Sequence, residues 1–240
     1  MANRGRLIAL EGESASGKTT LVRAAAARYG WVPLAEAYDR LDPAPSLEFG
    51  SSEELLLLEG ALLAEEVRRY REAVWHCARG QTVLADTGFF GPLTYTWGLV
   101  HLGRVPPSVG RALTDRVRPL VRKGALGLPD LTIVLRTTRA ERARRANADE
   151  AGHPASLRTR HEAVGRVERA FFEEAVPRAL PERFRTFSAG DPADVLVPQL
   201  HELVEATAAA PATEADGLVL LSLLPFPLPR GRRSTVGPNR

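Results

Sequence analysis

Apolar residues fall into short dense runs, set between longer segments where they recur every three to five positions. The dense runs Leu7-Ile8-Ala9-Leu10, Thr82-Val83-Leu84-Ala85-Asp86, Leu131 to Leu135 and Arg183 to Phe187 predict buried strands. Trp31 to Glu36 predicts another, at a sheet edge, because Pro33 cannot donate to a ladder. Thr20 to Tyr29 is rich in helix formers and closed by Gly30. Leu55, Leu58, Leu62, Val67, Tyr70 and Val74 predict a long amphipathic helix, capped by Ser51 or Ser52 and ended by Gly80. Gly88 to Gly103 is aromatic and glycine-rich, and a short helix follows Pro106-Pro107 through Val121. An Arg/Glu-rich region runs from Thr137 to about Leu180, interrupted near Gly152-His153-Pro154, and a last helix spans Ala193 to Ala206. Strands alternating with helices imply an α/β fold, a parallel sheet covered on both faces. Residues 207–217 read as a small-residue linker, and the apolar stretch after it as a short strand or docking segment ahead of a flexible Pro/Arg tail. The expected organisation is one domain over 1–206, with linker and tail over 207–240.

Between the first strand and first helix stands Gly12-Glu13-Ser14-Ala15-Ser16-Gly17-Lys18-Thr19, the G-x-x-x-x-G-K-[ST] pattern of a phosphate-binding P-loop. Strand, glycine loop and helix in that order are the context the pattern needs. Glycines let the backbone wrap phosphate oxygens at a helix N-terminus. Gly12, Ser14, Ala15, Ser16, Gly17, Lys18, Thr19 and Thr20 are therefore the expected triphosphate contacts, with Lys18 on the β- and γ-phosphates and Thr19 on Mg²⁺. Only Lys18 and Lys123 are lysines among 32 basic residues, so a lysine in the loop stands against a strong arginine preference.

The strands end in carboxylates. Glu36 after strand two and Asp86 after strand three reach the carboxyl edge of the sheet, where ligands sit in such folds. Asp86 is assigned to the metal and Glu36 to the general base. Among the arginines of the Arg/Glu-rich stretch (Arg136, just before it, then Arg139, Arg142, Arg144, Arg145, Arg158 and Arg160), Arg142 and Arg145 are the candidates for a lid that closes over the transferring group.

Composition narrows the partners. The sequence pI of about 9.4 comes from the tail, since Arg230, Arg232, Arg233 and Arg240 lie there without an acid. Setting those four aside leaves 28 basic against 29 acidic residues, so nucleic acid is not an expected partner. A lone Cys77 excludes a disulfide framework, and the five histidines show no close metal-ligand spacing. There is no long apolar leader, and the run Leu218 to Leu224 is too short for a bilayer span, so a cytoplasmic location is expected.

The chain resembles the thymidylate kinase family of P-loop kinases over roughly residues 6–206. The resemblance rests on IALEGESASGKTTL, the glutamate closing strand two, LLAEEVRRYREAV before GQTVLAD, LTIVLRTT leading into ERARRA, and FSAGDPADV. It implies a P-loop NTPase three-layer sandwich with a five-stranded parallel sheet of order 2-3-1-4-5 and an Arg-rich lid. It further implies ATP with Mg²⁺, a loop around Asp191 that lines the adenine, and an acceptor between strands two and three and the long helix. Family members often pair through long helices, so a homodimer is an expectation too. Two departures concern the acceptor. The family follows its strand-three aspartate with an arginine that grips the acceptor phosphate, where this chain has Asp86-Thr87; and an acid usual after strand four is Arg136 here. A neutral hydroxyl acceptor fits these departures, while Arg40, Arg68, Arg69 or Arg71 keep a nucleotide acceptor open. Phe89, Phe90, Tyr95 and Trp97 either enclose the acceptor or belong to the core. The leading expectation is an ATP-dependent kinase that phosphorylates a hydroxyl or phosphate of a nucleoside, nucleotide or related metabolite. The competing expectations are a regulatory P-loop ATPase switch with no small-molecule acceptor, and nucleic-acid end modification.

Overall fold

The computed structural model describes residues 4–148, 155–207 and 210–224, with no side-chain description for 147–148 and 155–158. Five parallel strands, β1 (Leu7–Glu11), β2 (Val32–Leu34), β3 (Val83–Asp86), β4 (Leu131–Arg136) and β5 (Phe184–Ser188), form one sheet of order β2-β3-β1-β4-β5. β1 lies at the centre, with Ala9 level with Ala85 on one side and Thr132 on the other. β2 is the short edge strand its proline requires.

Alternate residues of β1 divide the core. Ile8 and Leu10 join Leu84, Ile133 and Leu135 beneath α1 (Lys18–Tyr29) and α8 (Ala193–Ala206). Leu7 and Ala9 join Val83, Ala85 and Val134 on the opposite face. That face is covered by α2 (Ser52–Cys77), α3 (Gly91–His101) and α4 (Pro107–Arg122). α5 (Arg139–Ala148) and α6 (Ala155–Ala170) follow β4, and a π-helical stretch, Phe171–Ala175, leads into the single turn α7 (Val176–Ala179). Three layers result, as a sheet apolar on both faces demands.

Three sequence expectations change. The segment 88–103, read without a regular element, contains α3, begun by Gly91-Pro92, with proline where a helix tolerates it. Of its aromatics, Phe89, Phe90 and Trp97 are core, Trp97 donating to Thr114 Oγ1 at 3.1 Å. The predicted stripe of α2 packs inward at Leu55, Leu62, Val67 and Tyr70, but Val74 is 39% exposed, and Glu59, Glu66 and Arg69 are buried on the same helix. Third, α8 is not the last helix. Residues 214–223, within the stretch read as linker and tail, form α9 (Glu214–Leu223), opened by a Thr213/Asp216 capping box. Leu220, Leu221 and Leu224 are buried, and a Cβ on Gly217 would lie 2.8 Å from Val121 Cγ1, so α9 rests closely on α4. Residues 225–240 lie outside the described residues. Among the described residues, no helix is long and apolar enough to cross a membrane.

Candidate active site

The loop between β1 and α1 is shaped by residues with positive φ. Gly12 (148°) and Gly17 (99°) take values that side chains rarely adopt, and Ala15 (60°) is also left-handed. A Cβ on Gly12 would stand 3.0 Å from Ser16 Oγ and 3.1 Å from Leu135 O. Ser16 N–H closes the loop onto Glu13 O at 3.1 Å. Gly17 is the N-cap of α1 and supplies no side-chain acceptor, and the first turn carries no acid. The positive end of the helix is thus left to an external anion. Lys18 Nζ donates to Gly12 O at 2.9 Å, folded back over the cradle.

The loop opens into a cavity of about 510 Å³. Its walls are the ends of β1, β2 and β3, one side of α2, the first turns of α3, and α6. Glu36, just past β2, lies on this wall; burial raises its pKa, Lys18 opposes the rise, and Asp86 adds to it. Asp86 ends β3, is 1% exposed, and its Oδ1 has no hydrogen-bond partner among the described residues. A buried carboxylate oxygen beside a phosphate loop is a fit for a cation such as Mg²⁺ bridging to Thr19. Among the described residues no group of three or more His, Cys, Asp or Glu side chains is arranged to hold a metal, so phosphate oxygens and water would complete the coordination.

The expected residues Lys18, Glu36 and Asp86 therefore meet at one edge of the sheet. Asp191 is exposed just ahead of α8, on the far side of β5. Arg145 ties its surroundings to the loop: Nη1 donates to Ser16 O at 2.7 Å, Nη2 to Ala189 O at 2.9 Å, and Nε to Glu141 at 2.8 Å. Arg142 donates to Thr137 O at 2.6 Å and pairs with Glu13 at 2.9 Å; Arg169 reaches the same carboxylate at 3.3 Å. Both lid candidates thus brace the P-loop in this conformation.

Further carboxyl groups on the cavity went unpredicted. Glu11, the last residue of β1, accepts from Gly88 N–H at 2.9 Å, and burial pushes its pKa up to about 8. Glu168 of α6 accepts from Thr94 Oγ1 at 2.9 Å and is raised by burial. Glu66 is raised to about 7 by burial, against the pull of its ion-pair partner Arg69. Glu59 is raised well above the usual carboxylate range by burial and by Glu168. Tyr95 also lines the cavity, and burial pushes its pKa up to about 12, so it stays a neutral donor. Glu59 and Glu66 sit seven residues apart on the inward face of α2. Acids on the core side of a helix were the available signal.

No protein-family model and no curated protein sequence matches the chain. Solved structures do. Deoxyadenosine kinase from M. mycoides with bound dATP matches with a TM-score of 0.62 at 14% identity, covering 83% of this chain and 100% of that one. A thymidylate kinase from Candida albicans matches at 0.60 and 17% identity, over 84% of this chain and 92% of that one. The M. mycoides enzyme with bound dCTP gives 0.56 and 15% identity, over 83% and 98%. The chain has the fold of these P-loop nucleoside and nucleotide kinases.

Proposed function

We propose that this protein is an ATP-dependent small-molecule kinase that moves the γ-phosphoryl group onto an acceptor held in the cavity beside the P-loop. The observation that carries the reading is the continuity of the two: Gly12, Ser14 and Lys18 line the same cavity as Glu36. A switch that only hydrolyses ATP has no need of an acceptor-sized space beside its loop.

In this reading the backbone of residues 12–20 and Lys18 bind the triphosphate, and the Asp191 loop borders the base. Thr19 and Asp86 would hold Mg²⁺, which supplies charge neutralisation of the β- and γ-oxygens when bound. The acceptor hydroxyl attacks the γ-phosphorus while the bond to the β-bridging oxygen breaks, so ADP leaves. The hydroxyl proton passes to Glu36, whose pKa burial raises and so makes a stronger base than an exposed carboxylate. Arg142 and Arg145 hold the loop in shape and add positive charge where the transferring group carries negative charge.

Lys18→Ala is the direct test. Phosphoryl transfer from ATP, followed with labelled γ-phosphate across an acceptor panel, should fall by at least about 10²-fold. Far-UV circular dichroism should remain unchanged. Retained transfer in the variant removes the reading, and so does robust ATP hydrolysis that no acceptor alters.

A further inference from the structure

The cavity has an unusual lining for a site that would receive a nucleotide. Glu11, Glu36, Asp39, Glu59, Glu66 and Glu168 all line it, whereas its basic lining side chains among the described residues are Lys18 and His161. Lys18 belongs to the triphosphate. Glu13, also on the wall, is neutralised by Arg142 and Arg169.

The arginines near the cavity are held by contacts within the protein. Arg69 is 0% exposed, paired with Glu66 and donating to Asp86 O at 2.8 Å. Arg40 is bonded to Glu65 and Glu72, and Arg68 to Glu65. Arg71 is exposed and does not line the cavity. Arg160 lies over the Phe49 ring and donates to Leu47 O, its charge reaches Glu59 and Tyr95 on the cavity wall, and its Nε has no partner among the described residues. The first turn of α3, whose positive end attracts anions, already has Glu168 on Thr94 Oγ1.

One atom points to what is accepted instead. Glu59 is 2% exposed, it lines the cavity, and its Oε2 has no hydrogen-bond partner among the described residues. Glu168 lines the same cavity, and its carboxyl group repels that of Glu59 more than Arg160 attracts it. A buried carboxyl oxygen without a partner, opposite a second carboxyl group, is unfavourable until a donor enters between them. An ammonium group satisfies both at once, through charge-assisted hydrogen bonds.

Resting on the kinase reading above, we propose that the acceptor is a hydroxylated amine without a phosphate, an amino sugar or aminocyclitol in chemical class. Its ammonium binds between Glu59 and Glu168, and a hydroxyl faces Glu36. The oxygen, not the nitrogen, receives the phosphoryl group, since the bound amine is protonated and has no lone pair.

The test is a thermal-shift series on the full chain with Mg²⁺ and a non-hydrolysable ATP analogue. The probes are glucosamine and a diaminocyclitol against N-acetylglucosamine, inositol, thymidine and thymidylate. The amines should raise Tm by several degrees beyond the analogue alone, and their N-acetylated or amine-free counterparts should not. Glu59→Gln should keep the shift from the ATP analogue but weaken amine binding about tenfold or more, because an amide can satisfy a neutral ligand but not a cation. Glu168→Gln, which keeps an acceptor for Thr94, should act alike. An equal shift from thymidine, thymidylate or N-acetylglucosamine overturns the proposal, and so does a panel in which no amine shifts Tm. Undiminished amine binding in both variants also overturns it. These failures leave the kinase reading intact if the analogue binds. Absence of any shift from the analogue, with no transfer from ATP, ends both.

Discussion

Glu11 and Gly88 depend on one another. The Gly88 N–H donates to Glu11 Oε1, and a Cβ on residue 88 would come within 2.7 Å of that oxygen. Burial raises the Glu11 carboxyl to about 8, with Glu168 and Glu36 adding to the rise and Lys18 and the Gly88 N–H opposing it. Because the folded protein holds this proton more tightly than the unfolded chain, its contribution is present in full below the unfolded carboxyl range. It is lost as pH rises toward about 8. Glu36, Glu59, Glu66 and Glu168 share that sign. The ligand-free protein should therefore lose stability between about pH 5 and 8. Glu11→Gln, which keeps an acceptor for Gly88, should flatten the slope of Tm against pH; an unaltered slope counts against the assignment. Thr87 is a second residue-scale feature. Its φ of 68° is uncommon for a β-branched residue, a conformation that costs on the order of 1–3 kcal/mol. Its backbone is held there by Leu10 O, which its N–H meets at 3.1 Å, and by Arg69, which donates to its carbonyl. The sequence marks position 87 as a departure from the family pattern, but the strained backbone appears only when β1, β3 and α2 are brought together.

Helix α2 shows how an element and most of its inward face can be foreseen while the charged residues buried on it are not. Its start was legible because Ser51 is followed by Glu53 and Glu54, and the structure has Ser51 Oγ accepting Glu54 N–H at 3.1 Å. Ser51→Ala should cost about 1 kcal/mol, read as a shifted urea midpoint at constant slope, since Ser51 is exposed and touches nothing in the cavity. Hydrophobic periodicity places Leu55, Leu62, Val67 and Tyr70 inward, as they are, but it also includes Val74, which is 39% exposed, and it omits the buried Glu59, Glu66 and Arg69. Hydrophobic counting passes over these charged positions because part of the inward face borders a polar cavity rather than the core. The aromatic run before α3 was ambiguous for the opposite reason. Phe89, Phe90 and Trp97 fill the core, and only the burial pattern separates them from Tyr95, which lines the cavity.

For the molecule as a whole, α9 extends the core past the sheet. Arg183, at the start of β5, donates to Pro211 O at 3.0 Å and to Asp216 at 2.9 Å, drawing the chain back across the sheet end. Asp130 accepts from Leu7 N–H at 2.8 Å and Ala212 N–H at 3.1 Å, linking the same segment to β1. Leu221→Ala should then destabilise the protein by about 2–5 kcal/mol, as for a core leucine rather than a tail residue. A change under about 0.5 kcal/mol in chemical denaturation would make α9 a dispensable appendage. By itself the sequence determined the strand pattern, the phosphate loop and the carboxylates after β2 and β3, because periodicity and a short loop motif are local properties of the chain. Tertiary structure alone decided the rest. The docking of α9 and the acidic lining of the cavity depend on side chains up to 157 positions apart, Glu11 and Glu168 among them, and on which helix face turns inward. Those outcomes follow from packing three layers around one sheet, which no local pattern records.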